Sequence, residues 1–160
     1  MIEAIDELDP EFILHIPSST LTVILEHCAK RSGSRLFPIA REEEGIGIAS
    51  GLALAGRRVL MIIQDNGLGN SLTAIATLPL AYHIPLLILV SRRGGLGEYN
   101  SMIHTFCEKV EEIATAAGLR YFDLDGRTPL AEWRPTVVKA YRYAITTHRP
   151  VFVFANLMGG

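Results

Sequence analysis

Leu86-Leu87-Ile88-Leu89-Val90 puts apolar residues on consecutive positions, and this run constrains the fold more than any other feature of the chain. Successive side chains of a strand point to opposite faces. A strand that is apolar at every position therefore has both faces covered, as in a parallel sheet between two layers of helices. Strands are predicted over Phe12–Ile16, Arg35–Ile39, Val59–Gln64, Leu86–Ser91, Arg120–Leu124 and Val151–Ala155. Helical patterns separate them at about Thr20–Arg31, Glu42–Ala55, Asn70–His83, Thr105–Ala117 and Leu130–Thr147. This alternation predicts an α/β fold: an open, mainly parallel six-stranded sheet with right-handed crossovers and helices on both faces.

The 160 residues fit one domain, 1–160, with no shift of composition and no repeat. Hydrophobic residues make up 49% and charged residues 20%, which excludes a disordered chain. A net charge of −2 and the lack of any Lys/Arg-rich run argue against a nucleic-acid platform. The acidic start, Met1-Ile2-Glu3-Ala4-Ile5-Asp6, has no secretory apolar region, so a soluble cytoplasmic protein is expected. The weakly charged stretch from Leu72 to Val90 is interrupted by Pro79, His83 and Pro85, and it reads as a helix and a strand rather than a membrane span. Cys28 and Cys107 lie in helical patterns and read as small buried hydrophobes. His104 stands three residues before Cys107 with no other soft ligand near in sequence, so no metal site is expected on this chain.

Three segments are candidates for chemistry. In Arg41-Glu42-Glu43-Glu44-Gly45-Ile46-Gly47-Ile48-Ala49-Ser50-Gly51, acids open a helix that then turns to small residues. Acids in a first turn favour the helix macrodipole by ~0.3–1 kcal/mol each, which alone would account for them. The glycines cost ~1 kcal/mol each relative to alanine. They are tolerable where a partner subunit, a neighbouring helix or a ligand must come close. Gln64-Asp65-Asn66-Gly67-Leu68-Gly69-Asn70 follows a strong strand, where glycines and a helix N-terminus suit a ligand or a simple capped turn. It is neither a dinucleotide fingerprint, because position 72 is Leu, nor a Walker A loop. The hydroxyls of His15-Ile16-Pro17-Ser18-Ser19-Thr20 suit helix capping or an anionic substrate. Arg92–Ile103 follows a strand's carboxyl end, shows no period and reads as a mobile loop.

Together these segments resemble the pyrimidine-binding domain of thiamine-diphosphate-dependent 2-oxo-acid decarboxylases. Glu42 stands nine residues before Gly51, with Ala49-Ser50-Gly51 as the closing step. A narrower resemblance is to the alpha subunits of sulfopyruvate decarboxylases, with phosphonopyruvate decarboxylases as near relatives. It rests on Arg41–Gly47, on Gln64-x-x-Gly67-Leu68-Gly69-Asn70 and on Ile84-Pro85-Leu86-Leu87-Ile88. The chain departs from the family at Asp65-Asn66, where Asn-Ser is usual, and it has no Gly-Asp-Gly motif.

The resemblance implies the following. Glu42 is the catalytic carboxylate and hydrogen-bonds the ring nitrogen of the cofactor's aminopyrimidine. Gln64, Gly67, Gly69 and Asn70 line the thiamine diphosphate site. Ser19 contacts the substrate's carboxylate or sulfonate, and Arg92, with Arg93, closes over an anionic substrate. Mg²⁺ and the diphosphate belong to a beta subunit. The reaction is conversion of 3-sulfopyruvate to sulfoacetaldehyde and CO₂ in coenzyme M biosynthesis. Alternatives are a phosphonopyruvate or other 2-oxo-acid decarboxylase subunit, a non-catalytic flavodoxin-like module that binds a flavin or nucleotide, and a structural or regulatory partner of a full-length enzyme.

Overall fold

In the computed structural model, residues 1–95 and 98–157 are described. Six strands form one sheet: β1 Phe12–His15, β2 Arg35–Pro38, β3 Val59–Gln64, β4 Leu86–Ser91, β5 Arg120–Leu124 and β6 Pro150–Ala155. Their order is β2-β1-β3-β4-β6-β5, and every pairing is parallel. The helices are α1 Ile2–Leu8, α2 Thr22–Ala29 after a 3₁₀ turn at Ser19–Leu21, α3 Glu42–Leu54, α4 Asp65–Thr77, α5 Ser101–Cys107, α6 Val110–Ala116 and α7 Leu130–Thr147.

The consecutive apolar runs divide between two cores. Leu60, Ile62, Leu87, Leu89, Val151 and Val153 face one layer, where Ile5 of α1, Ile24 of α2 and Val137 of α7 pack. Met61, Ile63, Ile88, Val90, Phe152 and Phe154 face the other, against Ile46 of α3, Leu68 of α4 and Val110 of α6. Each fully buried side chain of this kind is worth ~1.5–3 kcal/mol, so both helix layers are held mainly by the sheet.

The helix boundaries differ from expectation in several places; the helix expected to run to His83 ends at Thr77, and the one expected over Thr20–Arg31 covers Thr22–Ala29. α4 begins at Asp65 rather than Asn70, so the glycine-bearing segment is helical from its first residue. The helix expected over Thr105–Ala117 is two helices, which bury Cys107 and Val110 on either side of a bend. Ser101–Ile103, expected to be loop, open α5, with the Asn100 side chain accepting from Met102 N–H at 3.1 Å. α1 was not expected; its seven residues bury only Ala4 and Ile5. The stretch Leu72–Val90 does divide into the end of α4 and strand β4. Among the described residues no helix is long and apolar enough to cross a membrane.

The strand order places the ligand crevice. From β1 the chain crosses to β2 on one side, and from β3 to β4 on the other. The carboxyl ends of β1 and β3 therefore border a topological switch point, the usual ligand position of an open α/β sheet.

Candidate active site

Glu42 is the first residue of α3 and is only 9% exposed. Its carboxylate lies against the first turn of α4. A Cβ built on Gly67 would stand 2.4 Å from Glu42 Oε1 and 2.8 Å from its Cδ. Glycine is thus required at position 67 for the two helices to approach as they do. Three residues further along α4, Asn70 Nδ2 donates to Glu42 Oε2 at 3.1 Å. Oε1 receives no hydrogen bond among the described residues, so the carboxylate is aimed through one oxygen and retains an acceptor in the other. Glu43 and Glu44, the other acids of this turn, are more exposed than Glu42, and Glu43 pairs with Arg41 at 2.5 Å.

A second polar group occupies the switch point. Gln64 ends β3 and donates through Nε2 to Ser18 Oγ. Ser18 and Thr20 share a hydroxyl hydrogen bond of 3.0 Å, and Thr20 shares another of 3.2 Å with Ser91 at the end of β4. The chain Gln64–Ser18–Thr20–Ser91 therefore fixes the amide of Gln64 along the carboxyl edge of the sheet. Ser18 also caps the 3₁₀ turn by accepting from Thr20 N–H at 3.3 Å. Capping and site construction are here the same contact. Ser19 is exposed on this turn, and its hydroxyl makes no hydrogen bond with another described residue. His15 ends β1, is 7% exposed and has no partner for Nδ1. Burial pushes its imidazole below the ordinary value, so it is neutral at pH 7.

The remaining expected residues sit elsewhere. A Cβ on Gly69 would come 2.9 Å from the Phe106 ring, so this glycine lets α5 pack on α4. Arg92 pairs with Glu111 and, at 3.1 Å, with Asp123; its guanidinium also lies 6.0 Å from the Phe154 ring. The structure does not bring it to Glu42. Arg93 and Glu98, with side chains 6% and 0% exposed, form a two-bonded pair at 2.5 and 2.9 Å. This pair closes the segment expected to be a mobile loop, within which Leu96 and Gly97 lie outside the described residues.

Sequence reasoning missed Asp65. It is fully buried at the start of α4, and its Oδ2 accepts from Arg93 N–H at 2.8 Å. Its Oδ1 accepts from Asn66 N–H at 2.9 Å and from the Cys107 thiol at 2.8 Å. Burial raises the pKa of Asp65, and burial with this carboxylate beside it raises that of Cys107. Cys107 is therefore a hydrogen-bond donor and not simply a small hydrophobe. Asp65 ties the start of α4 to α5 and to the segment after β4. Its partners are 28 and 42 residues away, and no local pattern signals them.

What this geometry can do is hold one carboxylate, largely out of water, with a free acceptor between two closely packed helices. That suits recognition of a nitrogen heterocycle through a ring nitrogen. The room beside Gly67 is taken by the Glu42 carboxylate, and its unengaged Oε1 fits the pyrimidine end of thiamine diphosphate. Among the described residues no group of three His, Cys, Asp or Glu side chains is placed to hold a metal ion.

Comparison with known proteins agrees with this geometry. Residues 1–112 match the family model for the thiamine pyrophosphate enzyme, N-terminal TPP binding domain. The sulfopyruvate decarboxylase subunit alpha of Methanococcus maripaludis is 38% identical over 98% of this chain and 92% of its own length. The protein of the same name from Methanothermobacter thermautotrophicus is 32% identical over 92% of this chain and 87% of its own. The benzoylformate decarboxylase structure from Polynucleobacter necessarius superimposes with a TM-score of 0.73 at 19% identity, covering 98% of this chain and 29% of that one. That last likeness concerns the fold. The family match sets aside the flavodoxin-like reading, and the chain belongs to the thiamine pyrophosphate enzymes, as an N-terminal cofactor-binding domain in the branch that holds the sulfopyruvate decarboxylase alpha subunits.

Proposed function

We propose that this chain is the alpha subunit of a thiamine-diphosphate-dependent decarboxylase that converts 3-sulfopyruvate to sulfoacetaldehyde and CO₂ in coenzyme M biosynthesis. It acts with a beta subunit that carries the Mg²⁺- and diphosphate-binding half. The observation that carries this reading is the Glu42 carboxylate held against Gly67 by Asn70, with Oε1 left as a free acceptor. The names of the relatives support the substrate and the need for a partner.

The bound cofactor supplies the electron sink that decarboxylation of a 2-oxo acid requires. The chain's own residues do the positioning. Asn70 holds Oε2, which would leave Oε1 to share a proton with the ring nitrogen of the bound pyrimidine. Gly67 provides the room in which the Glu42 carboxylate lies. Gln64, fixed through Ser18, presents its amide at the switch point, and the free hydroxyl of Ser19 is available to the substrate's anionic group. Excluding water around Glu42 strengthens the contacts of its carboxylate, because a hydrogen bond to an ion is worth more at low local dielectric.

The test is reconstitution with the beta subunit, followed by a decarboxylation assay across sulfopyruvate, phosphonopyruvate and unsubstituted pyruvate. Sulfopyruvate should be the preferred substrate. Glu42→Gln should keep the fold and lower turnover by ~10²–10⁴-fold, the range for loss of a positioned acid–base group. Full turnover in that variant would remove the central assignment.

A further inference from the structure

The amino-terminal end of the sheet, opposite the crevice, carries a second feature that the decarboxylase reading does not use. Nine of the fifteen lysines and arginines meet carboxylates: Arg31, Arg41, Arg57, Arg58, Arg92, Arg93, Lys109, Arg127 and Arg134. Arg120, Lys139, Arg142 and Arg149 do not, among the described residues, and all four lie on or beside β5, α7 and the start of β6. For a chain of net charge −2, this is a local concentration of uncompensated positive charge.

Two of these arginines line one cleft. Arg120 and Arg149 border a space of about 380 Å³ together with Leu80, Gly118, Tyr143 and Pro150, and no acid is among its walls. The Arg120 guanidinium sits in the angle of two rings, 5.2 Å from the centroid of Phe122 and 5.4 Å from that of Tyr143. The rings meet edge to face at 74°, with centroids 6.3 Å apart. Such stacking occupies the face of a guanidinium and leaves the N–H groups at its edge free to donate. Arg149 is anchored through Nη1 to the Leu80 carbonyl at 3.0 Å, which leaves its other donors unengaged. Both groups are thus held in place before any ligand arrives, which lowers the ordering cost of binding.

We infer that this cleft is a binding site for a small phosphorylated molecule, whose phosphate is received by Arg120 and Arg149. Two ordered guanidinium groups match the charge and the several acceptor oxygens of a phosphate. The cleft has room for an organic group beyond it, with the Tyr143 ring as a wall. The site lies at the amino ends of β5 and β6, whereas Glu42 and Gln64 gather at the carboxyl ends of the strands. Occupancy therefore does not compete with the cofactor.

The test uses the alpha–beta complex saturated with thiamine diphosphate, so that its own diphosphate site is filled. Inorganic phosphate is titrated calorimetrically at low salt. The wild-type complex should bind saturably, and binding should weaken as salt is raised. Arg120→Gln with Arg149→Gln should weaken it by at least about tenfold, and Arg120→Gln alone by less. Arg35→Gln is the control, because Arg35 also lacks a carboxylate and stacks on Phe12 at 5.6 Å, yet lies on β2 at the far edge of the sheet. It should bind as wild type, and all variants should stay folded at the assay temperature and keep basal turnover. No saturable binding, equal affinity in the double variant, or an equal loss in Arg35→Gln would each overturn the inference. So would dissociation of the double variant's complex with phosphate affinity unchanged, since the patch would then be a protein contact.

Discussion

Gly67→Ala tests the site through a single methyl group. In most helices the change is favourable, by at most about 1 kcal/mol. Here the added Cβ would stand 2.4 Å from Glu42 Oε1 and 2.7 Å from its Cγ. Ordinary contact is ~3.5–4.0 Å, so the carboxylate must retreat by roughly 1 Å or more. That retreat breaks the 3.1 Å bond from Asn70. A hydrogen bond to an ion contributes ~1.5–3 kcal/mol, so the helix gain is outweighed and the net loss of stability is about 0.5–2 kcal/mol. For a domain of this size that is a fall of only a few degrees in Tm. Turnover should suffer far more, because ~1 Å of misplacement costs on the order of 10²-fold when a group must meet a reacting partner. The assay is paired: thermal melting of the chain, and decarboxylation by the reconstituted complex per mole of folded protein. A variant that melts a few degrees lower yet turns over at the wild-type rate would refute the reasoning, since the close approach would then be packing and nothing more.

Gly47→Ala and Gly51→Ala supply the contrast. Neither added Cβ meets anything within 4 Å, so each should stabilise the isolated chain by ~0.5–1 kcal/mol in urea unfolding. Ser19→Ala should raise KM for sulfopyruvate by about tenfold with little change in kcat, as loss of one hydrogen bond to an anion predicts. Ser18→Ala should lower kcat instead, because it frees the Gln64 amide, and steady-state kinetics on both variants distinguishes the two roles. Glu98→Gln reports on the staple after β4. Arg93 and the Asn100 N–H hold the Glu98 carboxyl down to about 2. A carboxyl lowered in the folded state stabilises above its ordinary value, and that stability is lost as pH falls through about 2. The wild-type advantage over Glu98→Gln in urea should therefore be full at pH 7 and shrink between pH 4.5 and 2.

All six strands were legible in the sequence to within a residue or so at their ends; in β3, β4 and β6 apolar residues on consecutive positions leave no other way to bury both faces, whereas β2 and β5 are edge strands that stay largely open. The start of α3 at Glu42 was legible as well, from acids followed by a small-residue helix. Other features depend on contacts distant in sequence. Thr20 meets Ser91 across 71 residues, and Asp65 meets Cys107 across 42. Nothing local in either segment points to the other. The displaced start of α4 is the most informative difference. Gly67 and Gly69 read as turn residues because glycine weakens a helix, yet both are helical, and each is there for a side chain that reaches it from another element: Glu42 in one case, Phe106 in the other. Gly45 has the same explanation, since a Cβ there would strike Ile39 and Met61. Gly47 and Gly51 do not. They stand on the exposed side of α3 beside Ile48, which is 49% exposed, and no atom of the described residues comes within 4 Å of a Cβ built on either. Glycine costs a helix interior ~1 kcal/mol relative to alanine, and no contact among the described residues offsets that cost at these two positions. The helix that carries Glu42 thus has its one inward glycine, Gly45, accounted for by this fold, while its two outward ones leave a smooth face on which the proposed second subunit would dock.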